Sequence, residues 1–321
     1  MAKTLISTVD GVHCNAWNHC GERMAGGSLD GCIHIFDSPS QFACTFKWKA
    51  HNSSIVKLVW GPPEYGDVIA CCCMDGTISL WEEAGEDIES CKWKLCNRFQ
   101  DSSVPVLDIQ FGNCVSGLKL VAAYADGHAK VYELLDPLEL KRWQLQAEFQ
   151  NVSHAVERFE KCSSLTASIA WKSSTNSTQQ PTFILGFNSN LPYFNVAKIW
   201  EFMEVHQHWH PTAEFIVPGE DADQVYAISW APNIGRPYEL IAIAGSKGVS
   251  IWHVELDPNT NERPKLTRVA TFTGHVGEVW QLDWDMGGMT LATSGNDGTV
   301  RLWQSNTNGV WQEVAVIESS Q

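Results

Sequence analysis

The sequence predicts an all-β fold of six four-stranded units, on three observations. One pattern of strands and turns recurs down the 321-residue chain. An aromatic residue closes the third strand of each copy, at Phe36, Trp81, Tyr132, Trp200, Trp252 and Trp303, spaced 45, 51, 68, 52 and 51 residues apart. In four copies the hairpin before that strand turns on Asp-Gly, at Asp30-Gly31, Asp75-Gly76, Asp126-Gly127 and Asp297-Gly298. A four-stranded unit returning every ~40 to 50 residues with aromatics at fixed strand ends is the mark of a β-propeller of WD-repeat type. The expectation is one propeller domain over 1–321, with blades at about 11–50, 51–100, 101–150, 151–217, 218–273 and 274–317.

The last copy, "GEVWQLDWDMGGMTLATSGNDGTVRLWQ" (277–304), displays the unit most plainly. A first strand ends at Trp284, a second runs through Leu291 to Ser294, and a third ends at Trp303. A fourth follows from Val310 to Ile317. Earlier first strands end at Trp17, Trp60, Phe111, Trp171 and Trp230. Asp-Gly suits a two-residue hairpin turn, which needs positive φ at both central positions. The fifth copy uses "SKG" (246–248) there. The fourth departs most, with "NSNLPYFN" at the turn and a polar insertion, "SSTNSTQQP", at 173–181. Inner strands are apolar on successive residues because radial stacking buries both faces of a blade. Thirteen of the fifteen tryptophans close first or third strands or open fourth strands, so the repeat explains the unusual tryptophan content.

A formal net charge of −15 argues against direct nucleic-acid binding, since that affinity begins with Lys and Arg on phosphates. The N-terminus lacks a basic segment followed by an apolar one, and no ~18-residue apolar run occurs, so no membrane insertion is expected. Eleven cysteines without a secretory signal read as reduced thiols in cytosol or nucleoplasm. The sequons at Asn52, Asn151 and Asn176 are then irrelevant.

Few residues could carry chemistry. His275, Thr293, Asp297 and Trp303 fit the buried hydrogen-bonded tetrad of a WD blade, and His51, Asp75 and Trp81 fit its counterpart in blade two. There Cys71 stands in the place of Thr293, with Cys71 to Cys73 in the small-residue slot of the second strand. Successive strand residues face opposite ways, so the three sulfurs cannot converge on one ion. "HQHWH" (206–210) would put His206, His208 and His210 on one face, but no acidic or thiol ligand lies near in sequence, and a polar exposed edge strand is preferred. No metal and no cofactor is expected. HExxH, GxSxG, GxxxxGK and GxGxxG are absent, so no enzyme activity and no small-molecule substrate is expected.

Three longer stretches, "WGPPEYGDVIACCCMDGTISLWEE" (60–83), "YADGHAKVYELLDPLELKRWQLQAEF" (124–149) and "SGNDGTVRLWQSNTNGVWQEVAVIE" (294–318), carry a resemblance to the Seh-one type of WD-repeat nucleoporin. It runs from "ERMAGGSLDGCIHIFD" (22–37) to the C-terminus and is weakest in blade four. Acidic "WEE" (81–83) and the blade-three pattern Tyr132-Glu133, Asp136, Leu140, Trp143, Leu145-Gln146 and Glu148 favour this type over its sister, the coat protein Sec-thirteen. The resemblance implies an open six-bladed propeller completed by strands from an α-solenoid nucleoporin, which is β-augmentation of exposed edges. It implies a scaffold subunit of the Y-shaped outer ring of the nuclear pore, serving mRNA and protein transport, with other Y-complex subunits as partners. A further role in the GATOR complex of TOR signalling, with a vacuolar or lysosomal-surface pool, is also implied. A partner seated between blades one and six would meet Leu5, Ser7 and Val9 of "KTLISTV", and Trp17, Phe36, Trp280 and Trp284.

Six repeats permit the open form but also a self-closed one. The competing readings are a COPII-type vesicle-coat subunit, a substrate receptor of a cullin ubiquitin ligase and a central-channel peptide reader. Ligase receptors commonly carry Trp-Asp-x-Arg at the third-strand end, whereas these ends read "FDSP", "WEEA", "YELL", "WEFM", "WHVE" and "WQSN".

Overall fold

The computed structural model describes residues 11–38, 43–83, 93–100, 103–114, 117–151, 164–173, 180–191, 194–216, 223–255, 264–306 and 308–318. They form six four-stranded antiparallel sheets and one short 3-10 turn, Pro63–Tyr65, the architecture of a six-bladed β-propeller. Two compact units are present, Met1–Ala125 with Ala129–Glu148, and Asp126–His128 with Phe149–Gln321.

The first unit carries blade one, β1(Val12–Trp17) to β4(Ala43–Lys49) through β2(Arg23–Ser28) and β3(Cys32–Asp37). Blade two follows as β5(Ile55–Trp60), β6(Val68–Cys73), β7(Ile78–Glu83) and β8(Trp93–Phe99). Blade three is β9(Val106–Cys114), β10(Gly117–Tyr124), β11(His128–Leu134) and β12(Trp143–Gln150). The second unit carries blade four, β13(Ser164–Trp171), β14(Thr182–Ser189), β15(Lys198–Met203) and β16(His208–Glu214). Blade five is β17(Val225–Trp230), β18(Glu239–Gly245), β19(Gly248–Glu255) and β20(Lys265–Phe272). Blade six is β21(Val279–Trp284), β22(Thr290–Gly295), β23(Thr299–Ser305) and β24(Trp311–Glu318).

The cores lie where one blade faces the next. Within the first unit, Ile33 and Ile35 of blade one meet Ile55, Leu58, Ile69, Cys71, Cys73 and Trp93 of blade two. The other face of blade two, with Val68, Ala70, Cys72 and Leu80, meets Leu118, Leu120 and Tyr132 of blade three. A strand of β6 type therefore has no solvent face, which is why VIACCC carries no polar residue and is buried throughout. The second unit repeats this, with Ile184 and Ile199 against Ile228 and Trp252, and Ile251 and Phe272 against Leu291 and Trp303.

The Asp-Gly turns differ from the sequence expectation. Gly31, Gly76, Gly127 and Gly298 have φ of 83°, 83°, 82° and 70°, but among the described residues Gln207 is the only non-glycine with positive φ. The aspartates are therefore ordinary, and the loops are type I turns followed by a left-handed glycine. Gly31, Gly76 and Gly298 donate backbone N–H back to Ser28, Cys73 and Gly295 at 3.0, 3.2 and 3.2 Å. Each Asp side chain caps the strand that follows, accepting from the N–H of Cys32, Thr77, His128 and Thr299 at 3.0–3.1 Å. This local bond is what selects Asp rather than Asn-like tolerance of positive φ.

Two β-bulges recur. One sits on the first strand of every blade, where register skips His13, Val56, Leu107, Leu165, Tyr226 and Trp280. The other sits on the fourth strand opposite the third-strand aromatic, leaving Thr45, Cys96, Thr212, Val269 and Val314 unpaired. A bulge sharpens the twist and re-aims its side chain.

Candidate functional site

Trp303, Thr293, His275 and Asp297 come together as a relay. The indole N–H of Trp303 donates to Thr293 Oγ1 at 3.0 Å, and Thr293 Oγ1 lies 2.7 Å from His275 Nε2. His275 Nδ1 faces the Asp297 carboxylate at 3.0 and 3.1 Å. Asp297 also accepts the N–H groups of Val276 and Thr299 and the Thr299 hydroxyl. Burial opposes ionisation of Asp297, but these donors outweigh it and hold the carboxyl well below the usual carboxylate range. The imidazole is spoken for at both nitrogens, and the hydroxyl beside it, Thr293, is fully buried and already accepts the Trp303 indole N–H, so the set fastens the blade.

Blade two wires the set differently from the sequence expectation. The hub is Ser79, on the third strand: it accepts the Trp81 indole N–H at 2.8 Å and lies 2.6 Å from His51 Nε2. Cys71 is a neighbour of both, at 3.1 Å from Ser79 Oγ and 3.3 Å from His51 Nε2, and its thiol also faces the Trp81 indole. A hydroxyl two residues before Trp81 shares its face of the strand, and oxygen is the better acceptor, so serine displaces the thiol. Blade five has the same substitution, with Trp252 donating to Ser250 at 2.9 Å. Blade four uses Asn151 Oδ1 as acceptor for Trp200, at 3.1 Å.

Cys73 occupies the slot of Gly295, where an added Cβ would stand 3.3 Å from His275 Nδ1. Ligand atoms of His51, Cys73 and Asp75 lie within 4.8 Å of one another, but among the described residues His51 and Asp75 share no bond. Cys71 and Cys73 face blade one and Cys72 faces blade three, and all three are free thiols. Burial pushes Cys71 up to about 12 and raises Cys72 and Cys73 well above the usual thiol range, so the thiolate a metal requires is disfavoured.

The residues nominated for partner contact separate into two sets. Leu5, Ser7 and Val9 lie outside the described residues. Phe36 is 3% exposed, stacked beside His34 and against Gly26, and Trp284 packs edge-on to Trp311 while donating to Ser229. Those two are packing residues. Trp17 and Trp280 remain on the surface, at 48% and 61% exposure. Trp280 is the first-strand bulge residue of blade six. Its equivalents Val56 and Tyr226 pack into the core shared with the following blade. Likewise Asn15 and Trp17 stand where blade two has Leu58 and Trp60, both packed against blade one.

The rest of that face of blade six is also open. Leu291 and Trp303 are buried against blade five, while on the other face Ile317 of β24, paired with Val300, is exposed. Thr290, Ala292 and Ser294 replace the Val68, Ala70 and Cys72 of blade two. Sequence reasoning missed the bulge, which is visible only once the pairing register is known.

Arg23 was also missed. It donates to Asp37 at 2.8 Å and reaches Asp67 and Glu83 of blade two at 2.5 and 2.7 Å. Its guanidinium lies 5.9 and 5.8 Å from the ring centroids of Trp60 and Trp93.

A domain model described as WD domain, G-beta repeat, matches residues 2–37, 42–82 and 266–304, in blades one, two and six. With the tetrads and the blade topology, this defines the chain as a WD-repeat β-propeller. The chain is 52% identical to Protein SEH1 of Arabidopsis thaliana over 322 residues, which is 99% of each sequence. It is 30% identical to Nucleoporin SEH1 of Homo sapiens, covering 97% of this chain and 86% of that protein. Against Nucleoporin SEH1 of Xenopus tropicalis the identity is 30%, over 96% and 86%. The chain belongs to the SEH1 family of nucleoporins.

Proposed function

We propose that this nucleoporin is a subunit of the Y-shaped outer-ring scaffold of the nuclear pore, in which its six blades act as one open propeller completed by β-strands of an α-solenoid nucleoporin. Nucleocytoplasmic transport of mRNA and protein would depend on it through the integrity of that scaffold. The observation that carries the reading is Trp280. Its position is a core position in blades two and five, yet in blade six it is exposed, as is Ile317 of the outer strand, whose counterpart Phe99 in blade two is packed against blade three. A strand laid along this face would bury Trp280 as Val56 is buried and would pair backbone groups at an edge. Trp17 and Asn15 offer a second such face on blade one. Aromatic residues at the centre of a desolvated patch carry most of the energy of an interface.

The test is binding of a solenoid nucleoporin fragment to the full chain carrying Trp280→Glu or Ile317→Glu. Each is expected to weaken binding at least tenfold while leaving the melting temperature within about 1 °C, since both side chains are exposed. Unchanged affinity in both variants overturns blade completion at this face. Capture of a COPII cage protein without outer-ring nucleoporins overturns the nuclear-pore assignment in favour of a coat role. The GATOR role rests on the family resemblance alone, and co-purification of GATOR subunits with the tagged chain decides it.

A further inference from the structure

We propose that His206, His208 and His210 bind a late first-row divalent cation of the Zn²⁺ class on the outer strand of blade four. Trp209 fixes the phase of β16: it is buried, with its ring 4.9 Å from Phe183 and 5.4 Å from Phe202. With Trp209 turned inward, His208 and His210 must face outward. His206 precedes the strand, in the turn between β15 and β16, yet its ring joins theirs. Gln207 in the left-handed region, at φ 53°, and the bond from His206 N–H to Met203 O at 3.2 Å bring it round. Strained backbone of this kind persists where something else over-determines it.

Ring centroids are 5.8 Å apart for His206 and His208 and 5.9 Å for His208 and His210. Two imidazoles sharing one ion at about 2.0–2.1 Å from each nitrogen hold their centroids about 5–6 Å apart. His208 is thus the ring neighbour of both others; no three of these side chains have ligand atoms within 4.8 Å of one another, so the imidazoles must rotate to close on one ion. His210 Nδ1 is buried and has no hydrogen-bond partner, an unusual state for an imidazole nitrogen. The expectation of no metal rested on the lack of an acidic ligand close in sequence. The sheet register supplies one from the neighbouring strand: Glu201 pairs directly with His210, and Met203 with His208. Directly paired residues share a face, so a carboxylate and a thioether flank the imidazoles. Imidazole with carboxylate suits zinc, nickel and copper rather than calcium or magnesium. No activity follows from it; the ion would pin the 204–207 turn to the outer strand.

The test is calorimetric titration of Zn²⁺ and Ni²⁺ into the full, tag-free chain after removal of adventitious metal. One equivalent is expected to bind. His208→Asn should weaken it about tenfold or more, and His206→Asn and His210→Asn each by less, since one ligand pair survives. His13→Asn, an exposed histidine of blade one, should change nothing. Circular dichroism and melting temperature establish that each variant is folded. Absence of saturable uptake, or unchanged affinity in His208→Asn, overturns the proposal. So does uptake that is abolished by Cys73→Ala and not by His208→Asn, which would assign the ion to the His51, Cys73 and Asp75 group.

Discussion

Trp60 donates its indole N–H to the carbonyl of Ala16 at 2.9 Å, and Trp284 does the same to Ser229 at 3.2 Å. In each case the acceptor is the residue before the equivalent tryptophan of the preceding blade. Trp60 and Trp284 are thus stitches between blades, a role that needs the indole N–H and not only a large apolar ring, whereas Trp230 donates within its own blade, to Glu239. Trp60→Phe retains the ring and removes the donor, leaving the Ala16 carbonyl without it. The expected cost is about 1–2 kcal/mol, read as a lower urea midpoint at constant slope. A loss under about 0.3 kcal/mol would show that solvent replaces the bond.

Ser79 and Cys71 compete for the hub of blade two, and mutation separates them. Ser79→Ala leaves both the Trp81 N–H and His51 Nε2 without the oxygen and should cost about 2–3 kcal/mol. Cys71→Ala removes a buried sulfur but no strong bond and should cost about 1 kcal/mol. Equal costs, or the reverse order, in parallel denaturant titrations would return the hub to Cys71.

Arg23→Met keeps the stem over Trp60 and Trp93 but removes the cation that Asp37, Asp67 and Glu83 share. The carboxylates are partly exposed, so the expected loss is about 1.5–3 kcal/mol, between the surface and buried limits. Raising salt from 0.05 to 1 M should narrow the gap between wild type and variant, because screening relieves the repulsion that remains. A gap independent of salt would mean that lost packing, not charge, is responsible.

His51 is held down to about 4 by burial and by the nearby Arg98, with Asp75 working weakly the other way. An unfolded histidine titrates near about 6.5. The folded value lies below the unfolded one, so the stability His51 contributes is complete above about pH 6.5 and is lost as pH falls through about 4. His51→Gln should be less stable than wild type at pH 7 and should lose less stability between pH 7 and 4. His34 and His253 are also lowered, chiefly by burial, and act in both proteins, so the difference between the two curves isolates His51. Parallel curves would contradict the assignment. Asp297, whose depression lies lower, acts in a separate window below about pH 4.

Much of the fold was legible because each blade repeats one solution to one problem. Aromatic spacing located every third strand, and the WD tetrad of blade six could be named from the order of His275, Thr293, Asp297 and Trp303. What sequence hid was register. The first-strand bulge gave no composition signal, since its residues run from His13 to Trp280, and without it the exposure of Trp280 has no meaning. Ser79 was overlooked because alignment to blade six put a cysteine in the hydroxyl slot, whereas geometry puts the nearer oxygen two residues before Trp81. The type of the Asp-Gly turn was misread because both turn classes favour the same dipeptide. Glu201 and His210 are nine positions apart along the chain and opposite one another across it.

The surplus residue on the fourth strand has a consequence for how such a chain can change. Opposite Phe36, Trp81, Trp200, Trp252 and Trp303 the ladder already contains a break in phase. On either side of it directly paired residues still share a face, so the surplus residue absorbs an offset of one position between the rim strand's sequence and its pairing. Substitutions and length changes in the segments that lead into the rim can therefore accumulate without turning a tetrad residue or an inter-blade tryptophan to the wrong face. Divergence is channelled to the circumference, where new contacts are made, and the part that holds each blade to its neighbour is insulated from it.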